Sequence, residues 1–209
     1  MKLLALDTAT AVCGVAVWTG DRPACQVSLH IPRLHSVQLM PMVRYALAQA
    51  GLALKELDGV AVSIGPGSFT GLRLGVMTAK TLAFAAGLKL AAVPTLEALA
   101  TALSGAPGLT ACASLDGRRD EVYAACFRWD GAWKRHGPDE VLSREQFSRL
   151  LTALPPATLF AGEAQSSAAA VAAVGAELLK AGRGADPLSV EPVYLRQPLA
   201  QARAGCQRG

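Results

Sequence analysis

An α/β fold made of two related halves is what this sequence predicts, and three observations carry the prediction. Apolar, β-branched runs alternate with helical stretches of period near 3.6 along almost all of the 209 residues. A glycine turn, Ser63-Ile64-Gly65-Pro66-Gly67-Ser68-Phe69-Thr70-Gly71-Leu72-Arg73-Leu74-Gly75, joins an apolar run at 60–64 to a long helical pattern ending near Ala86. The two halves also echo one another. Leu6-Asp7 leads to Trp18-Thr19-Gly20, and Leu115-Asp116 leads to Trp129-Asp130-Gly131, each within a similar order of elements. The length suits one large domain or two small lobes.

Residues 3–6 are a continuous apolar run, fit for a strand buried on both faces. Asp7-Thr8-Ala9-Thr10 turns into a second strand at 13–18, and Thr19-Gly20-Asp21-Arg22 is a hairpin turn into a third at 24–29. After a loop at 31–35, residues 36–50 read as a helix with Leu39, Met40, Val43, Leu47 and Ala50 on one side. Met42 and Tyr45 add a second apolar patch, and Pro41 belongs in the first turn or at a kink. The glycine-turn strand and helix follow, then a strand at 89–93. Thr95 is placed to cap a helix to 103, with Glu97 favourable in its first turn.

Ser104-Gly105-Ala106-Pro107-Gly108 reads as the linker, so 1–105 is predicted as the first lobe. The second starts over: strands at 110–115 and 122–129, then a hairpin turn at Asp130-Gly131. Ser143 and Gln146 make a capping box for a helix to 151, which Pro155-Pro156 ends. A strand at 158–161 and an alanine-rich helix at 164–181 complete a smaller lobe, 106–196. Residues 197–209 carry arginines and no acid, and are predicted to fray.

With 52% hydrophobic and 17% charged residues, the chain is not of the disordered class. Aromatic content of 5% weakens a base-stacking nucleic-acid reading, and a net charge of +4 permits RNA nearby without arguing for it. Five scattered cysteines without a C-x-x-C pair read as reduced thiols of a cytoplasmic protein. No uninterrupted apolar span is long enough for a bilayer, so no membrane is expected.

At the glycine turn, Gly65 and Gly67 permit positive φ, Pro66 fixes the bend, and Ser68 or Thr70 can cap the helix. Such a turn either binds an anion on free N–H groups or is a plain strand-to-helix connection. Gly71, Gly75, Ala79, Ala83 and Gly87 recur every fourth residue as a ridge of very small side chains. Helical glycine costs about 1 kcal/mol against alanine, so a backbone must come close there, from this chain or from another subunit. Arg73, Met77, Lys80 and Phe84 form a different face that suits a partner.

Asp7 and Asp116 each end the first strand of a half. In a duplicated fold they face one another across a cleft and hold a metal–phosphate or polarise a water; otherwise they are ordinary turn residues. Nucleotide machinery would place glycines beside both. Thr8-Ala9-Thr10 has none and Asp116-Gly117-Arg118 has one. The three histidines, His30, His35 and His136, lack helical i, i+4 spacing, so no metal site is expected. There is no G-x-S-x-G elbow and no Walker loop. Arg119 reads as a turn residue, and Arg118 as either cleft rim or turn.

Four stretches together resemble one family: Leu4-Ala5-Leu6-Asp7-Thr8-Ala9-Thr10, Pro32-Arg33-Leu34-His35-Ser36, Gly65-Pro66-Gly67-Ser68-Phe69-Thr70-Gly71-Leu72-Arg73 and Glu191-Pro192-Val193-Tyr194-Leu195-Arg196. The chain is similar nearly end to end to the TsaB (YeaZ) family of bacterial threonylcarbamoyladenosine biosynthesis. The resemblance implies an actin-like (ASKHA, ribonuclease-H-like) fold of duplicated βββαβα lobes. The short stretch between Gly162 and Glu191 implies a shortened second lobe. It further implies a non-catalytic subunit that binds the TsaD transferase, helps recruit the TsaE ATPase, meets tRNA only indirectly, and forms a homodimer when alone.

Carried onto this chain, the pairing helices are 36–50 and 70–86. The implied partner interface is Leu39, Met42, Val43, Tyr45, Ala46, Gly71, Leu72, Gly75, Val76, Ala79, Lys80 and Ala83. Asp7, Thr8, Gly67, Ser68, Arg73 and Arg118 are the candidate contacts for an anion or a weakly held ATP or ADP at that interface. The competing readings are an actin-like ATPase, kinase or peptidase acting on its own, and direct RNA binding by the arginine-bearing tail.

Overall fold

The computed structural model describes residues 1–30 and 34–196. Ile31, then Pro32 and Arg33 of the second motif, and the predicted tail 197–209 lie outside the described residues. The first half is β1 (Lys2–Asp7), β2 (Val12–Thr19), β3 (Arg22–His30), α1 (His35–Ala50), β4 (Gly59–Gly65), α2 (Phe69–Ala86), β5 (Lys89–Pro94) and α3 (Thr95–Thr101). The second is β6 (Thr110–Asp116), β7 (Glu121–Trp129), β8 (Trp133–Ser143), α4 (Arg144–Ala153), β9 (Thr158–Ala161) and α5 (Ala168–Lys180).

Two mixed sheets result, ordered β3-β2-β1-β4-β5 and β8-β7-β6-β9. In each, the first strand pairs antiparallel with the second and parallel with the strand after the first helix: Leu6 faces Val15 and Val62, and Ala113 faces Ala125 and Ala161. This is the actin-like duplication, and the second sheet is shorter by the counterpart of β5.

The apolar runs are continuous because the first sheet is covered on both faces. Leu4, Leu6, Val15, Val60 and Val62 face α1 and α2, through Leu39, Val43, Val76 and Ala79. Leu3, Ala5, Ala16, Ala61 and Ala91 face the other way, against Ala168, Val171, Ala172 and Leu179 of α5. Small residues line that second face because α5 sits close: a Cβ on Gly175 would meet the Ala61 Cβ at 2.5 Å.

The division at 105/106 therefore separates the strands but not the helices. Helix α5 follows the second sheet in the chain yet packs on the first. Helix α3 belongs to the first half yet buries Leu96, Leu99 and Ala100 with Ala111, Ala113 and Phe127 of the second. Two smaller points follow. Of the two places open to Pro41, it takes the one inside α1, past the first turn. Thr95 is inside α3, behind Pro94 at the N-cap, and its hydroxyl accepts the Gly65 N–H at 3.1 Å. Ser143 and Gln146 do close the capping box of α4.

Candidate functional site

Gly65 (φ 131) and Gly67 (φ 159) take backbone angles that favour glycine, and the Gly65-Pro66 peptide is cis. What approaches them is this chain's own backbone. A Cβ on Gly65 would overlap the Val193 carbonyl, and one on Gly67 would overlap the Ala9 carbonyl. The Ala9 carbonyl accepts the Ser68 N–H at 2.7 Å, and the Ser68 hydroxyl accepts the Gly71 N–H at 3.3 Å. Two donors at the start of α2 are thus already satisfied from within.

Asp7 is buried at the end of β1. Its Oδ1 accepts the Ser63 hydroxyl at 2.6 Å and the Ala9 N–H at 3.2 Å, while Oδ2 accepts the Ser166 hydroxyl at 2.6 Å. Ser166, just before α5, ties the second half of the chain to this carboxylate. Asp116 instead stands exposed and pairs with Arg144 at 3.2 Å. Of the two open readings of these aspartates, a working pair of cleft carboxylates does not fit. One is enclosed by hydroxyls and the other is engaged on the rim.

A cleft of about 640 Å³ does open between the halves, lined by Ala9, Thr10, Ala11, His35, Ser36, Gly67, Ser68, Thr70, Gly71, Leu74, Leu115, Asp116 and Glu163. Glu163 spans it at one end, accepting the Ala11 N–H at 2.7 Å. A smaller recess of about 180 Å³ adjoins it, walled by Pro66, Gly67, Ser68, Phe69, Gly117, Arg118, Tyr123 and the 193–196 segment. Of the six candidate anion contacts, Gly67 and Ser68 line both spaces and Arg118 lines the recess. Asp7 and Thr8 are buried and line neither. Arg73 stacks over the Phe69 ring at 5.3 Å. Arg119 has φ 55 in the β6–β7 turn, which fits the turn reading.

The helix faces need a correction as well. Leu39, Met42, Val43 and Ala46 of α1, and Gly71, Leu72, Gly75, Val76, Ala79 and Ala83 of α2, are buried in this chain's own core. The small ridge exists because β1's end comes up against it: a Cβ on Gly71 would overlap the Thr8 carbonyl, and one on Gly75 the Thr8 hydroxyl. Lys80 points inward too, its ammonium donating to the Val190 carbonyl and to Glu191, both at 2.8 Å. Tyr45 alone of the twelve is exposed. The outer faces of the two helices carry Val37, Met40 and Tyr45 on α1 and Met77 and Phe84 on α2. Arg44, Arg73 and Thr81 are interspersed among them.

Sequence reasoning missed the strap that the Glu191-to-Arg196 motif makes. Val193 donates to the Ile64 carbonyl at 2.7 Å, Tyr194 packs on Phe69 with centroids 5.0 Å apart, and Arg196 pairs with Glu121 at 2.8 Å. The signal was the aromatic at 194 near a basic residue at 196, but its partners lie over a hundred positions away or, for Arg196, 75. The histidines sit apart on β3, α1 and β8. Among the described residues no cluster of three His, Cys, Asp or Glu side chains is arranged to hold a metal. No helix among them is long and apolar enough to cross a membrane.

Residues 30–173 match the family model described as TsaD: tRNA N6-adenosine threonylcarbamoyltransferase. The tRNA threonylcarbamoyladenosine biosynthesis protein TsaB of Escherichia coli is 37% identical over 148 residues, 69% of this chain and 64% of that protein. The aligned part thus falls just short of two thirds of the E. coli relative. The protein of the same name from Bacillus subtilis is 32% identical across 78% of this chain and 71% of its own length. The crystal structure titled YeaZ from Pseudomonas aeruginosa superposes with a TM-score of 0.81 at 30% identity, over 93% of this chain and 99% of that one. A second P. aeruginosa structure, of an uncharacterized protein with similarity to peptidase YeaZ, gives 0.82 at 32% identity over the same shares. Sequence and architecture agree, and the chain belongs to the TsaB (YeaZ) family.

Proposed function

We propose that this chain is a non-catalytic cytoplasmic subunit in forming the threonylcarbamoyl group on the tRNA adenosine beside the anticodon. It works by presenting the outer face of α1 and α2 to a TsaD-like transferase, in a complex that recruits a TsaE-like ATPase. The same face closes a homodimer when the partner is absent. The observation that carries this reading is the row Val37, Met40, Tyr45, Met77 and Phe84. These are five large apolar side chains left in solvent on two neighbouring helices whose inner faces are full. The Asp7 carboxylate, saturated by hydroxyls and a backbone N–H, favours a silent subunit over an ATPase, kinase or peptidase in its own right. Any ATP or ADP contact belongs to Gly67, Ser68 and Arg118, at the mouth of the cleft, and is weak and not catalytic.

Reconstituting the modification with and without this chain tests the reading. Modified tRNA should form only when it is present, and the isolated chain should turn over neither ATP nor peptide. Full activity of the transferase and ATPase without it, or ATP hydrolysis by this chain alone that Asp7→Asn abolishes, would overturn it.

A further inference from the structure

Two of the four thiols among the described residues stand opposite one another in the second sheet. Cys112 on β6 is the direct partner of Cys126 on β7. Backbone bonds from Trp129 N–H to the Leu109 carbonyl and from Gly117 N–H to the Glu121 carbonyl flank the ladder and set its phase. Odd-numbered residues of β6 form the hydrogen-bonded pairs, so Cys112 and Cys126 occupy a non-hydrogen-bonded pair. There the Cα atoms stand only about 4.5 Å apart and the side chains approach most closely. That lies inside the span of roughly 4.4–6.8 Å over which a disulfide closes.

The surroundings differ for the two sulfurs. Ala111, Ala113, Leu115, Ala125 and Phe127 face the α3 core, so the cysteines share the opposite face of the sheet. Cys112 is fully buried between Cys126 and Phe160, its neighbour on β9, while Cys126 is half-buried beside His136 of β8. The neighbouring Cys112 thiol holds Cys126 below the ordinary thiol range, while Cys126 and burial push Cys112 up. One sulfur is thus partly open to solvent and ionisable, and the other is a protonated thiol directly across the ladder. Cys13 and Cys25 face Leu29 and Val17 instead, so neither has a cross-strand thiol.

We propose that Cys112 and Cys126 are a redox-modification site: a reversible cross-strand disulfide that clamps the β6–β7 hairpin. A small hydroperoxide such as hydrogen peroxide is the oxidant. The Cys126 thiolate attacks one peroxide oxygen, the O–O bond breaks, and the departing hydroxide takes a proton to leave as water, giving a sulfenic acid. The Cys112 sulfur then attacks the Cys126 sulfur. Its proton goes to the leaving hydroxyl, which departs as a second water. Two thiols lose two electrons and the peroxide gains them; an external dithiol reverses the step by exchange. The loop so closed has Asp116, Gly117 and Arg118 near its tip, the residues that wall the cleft and its recess. Oxidation therefore stiffens one wall of the candidate site.

The full-length protein, reduced and then treated with hydrogen peroxide, tests this by intact mass, peptide mapping and amide exchange. The expected result is a mass lower by two hydrogens, a map linking Cys112 to Cys126, and slower exchange at 113–125 that dithiothreitol reverses. Cys112→Ser and Cys126→Ser should abolish the mass loss, and Cys13→Ser and Cys25→Ser should retain it. Wild-type mapping decides the matter even if a variant fails to fold. Free thiols at both positions, or a link from Cys126 to Cys206, would overturn the site. A correct link with unchanged exchange would overturn the clamp.

Discussion

Thr8 donates its hydroxyl to the Gly71 carbonyl at 2.8 Å, and the same hydroxyl oxygen occupies the space a Gly75 Cβ would need. Gly75→Ala should therefore destabilise the chain by about 1–3 kcal/mol, the usual cost of overpacking a closed interior. The loss should shrink in a Thr8→Ala background, where the obstructing atom is gone. A double-mutant cycle by urea unfolding measures that coupling. Additive losses would mean that the ridge clashes with something other than Thr8.

How much was legible follows from how local each signal is. The inner strands of the first sheet were readable because both of their faces are buried, which forces continuous apolar runs. β8 was not delimited, because Lys134, Arg135, His136, Gly137 and Pro138 form an exposed edge strand that reads as a loop. The glycines at 71 and 75 announced a close approach but not what approached. The answer, Thr8, lies more than sixty positions away. The alanine period at 164–181 announced a helix but not which sheet it would cover. Asp7 was found as a candidate, yet its satisfaction by Ser63 and Ser166 rests on two distant hydroxyls without any local motif.

Asp7→Asn addresses that network directly. Both carboxylate oxygens now accept from hydroxyls, and an amide can accept at only one end. Ser63 or Ser166 must then reorient to receive a donor. A loss of about 1–3 kcal/mol is expected on chemical unfolding, with no activity of the isolated chain altered. An unchanged unfolding midpoint would show that the hydroxyls repair the site without cost.

Phe84→Glu on the outer face of α2 should leave stability within about 0.5 kcal/mol of wild type, because the ring is exposed and contributes little to the core. Its effect should appear in association instead. If that face pairs as proposed, light scattering should show a shift from dimer to monomer, and binding to a TsaD-like transferase should fall at least tenfold. Val76→Ala, on the buried face, should do the reverse: lower stability, with association of the folded fraction retained.

Alkaline pH should weaken the fold through Cys13. Burial first, and the nearby Asp7 charge second, raise this thiol from 9.0 to about 11. The unfolded thiol releases its proton first as pH rises, so between about 9 and 11 the unfolded state binds fewer protons than the folded one. Stability is then full below pH 9 and falls through this window, by up to about 1.4 kcal/mol per pH unit from this group. Cys13→Ala should flatten that part of the profile while costing some packing at neutral pH. An unchanged slope in the variant would assign the alkaline loss to other groups.

Lys80 separates two contributions that look alike in distance. Its ammonium reaches the Val190 carbonyl and Glu191 at 2.8 Å each, but the lysine side chain is only 12% exposed while that of Glu191 is 74% exposed. A carboxylate so open to water is screened and contributes little, about 0–1 kcal/mol. The carbonyl is the partner that matters, because a charge-assisted bond to a sheltered backbone group keeps about 1.5–3 kcal/mol. Lys80→Met should therefore release the 190–196 strap, seen as faster amide exchange at Val193 and quicker tryptic cleavage at Arg196. Glu191→Gln should change neither by more than about twofold. If the two variants loosen the strap equally, the ion pair and not the backbone carbonyl holds the C-terminal segment against α2.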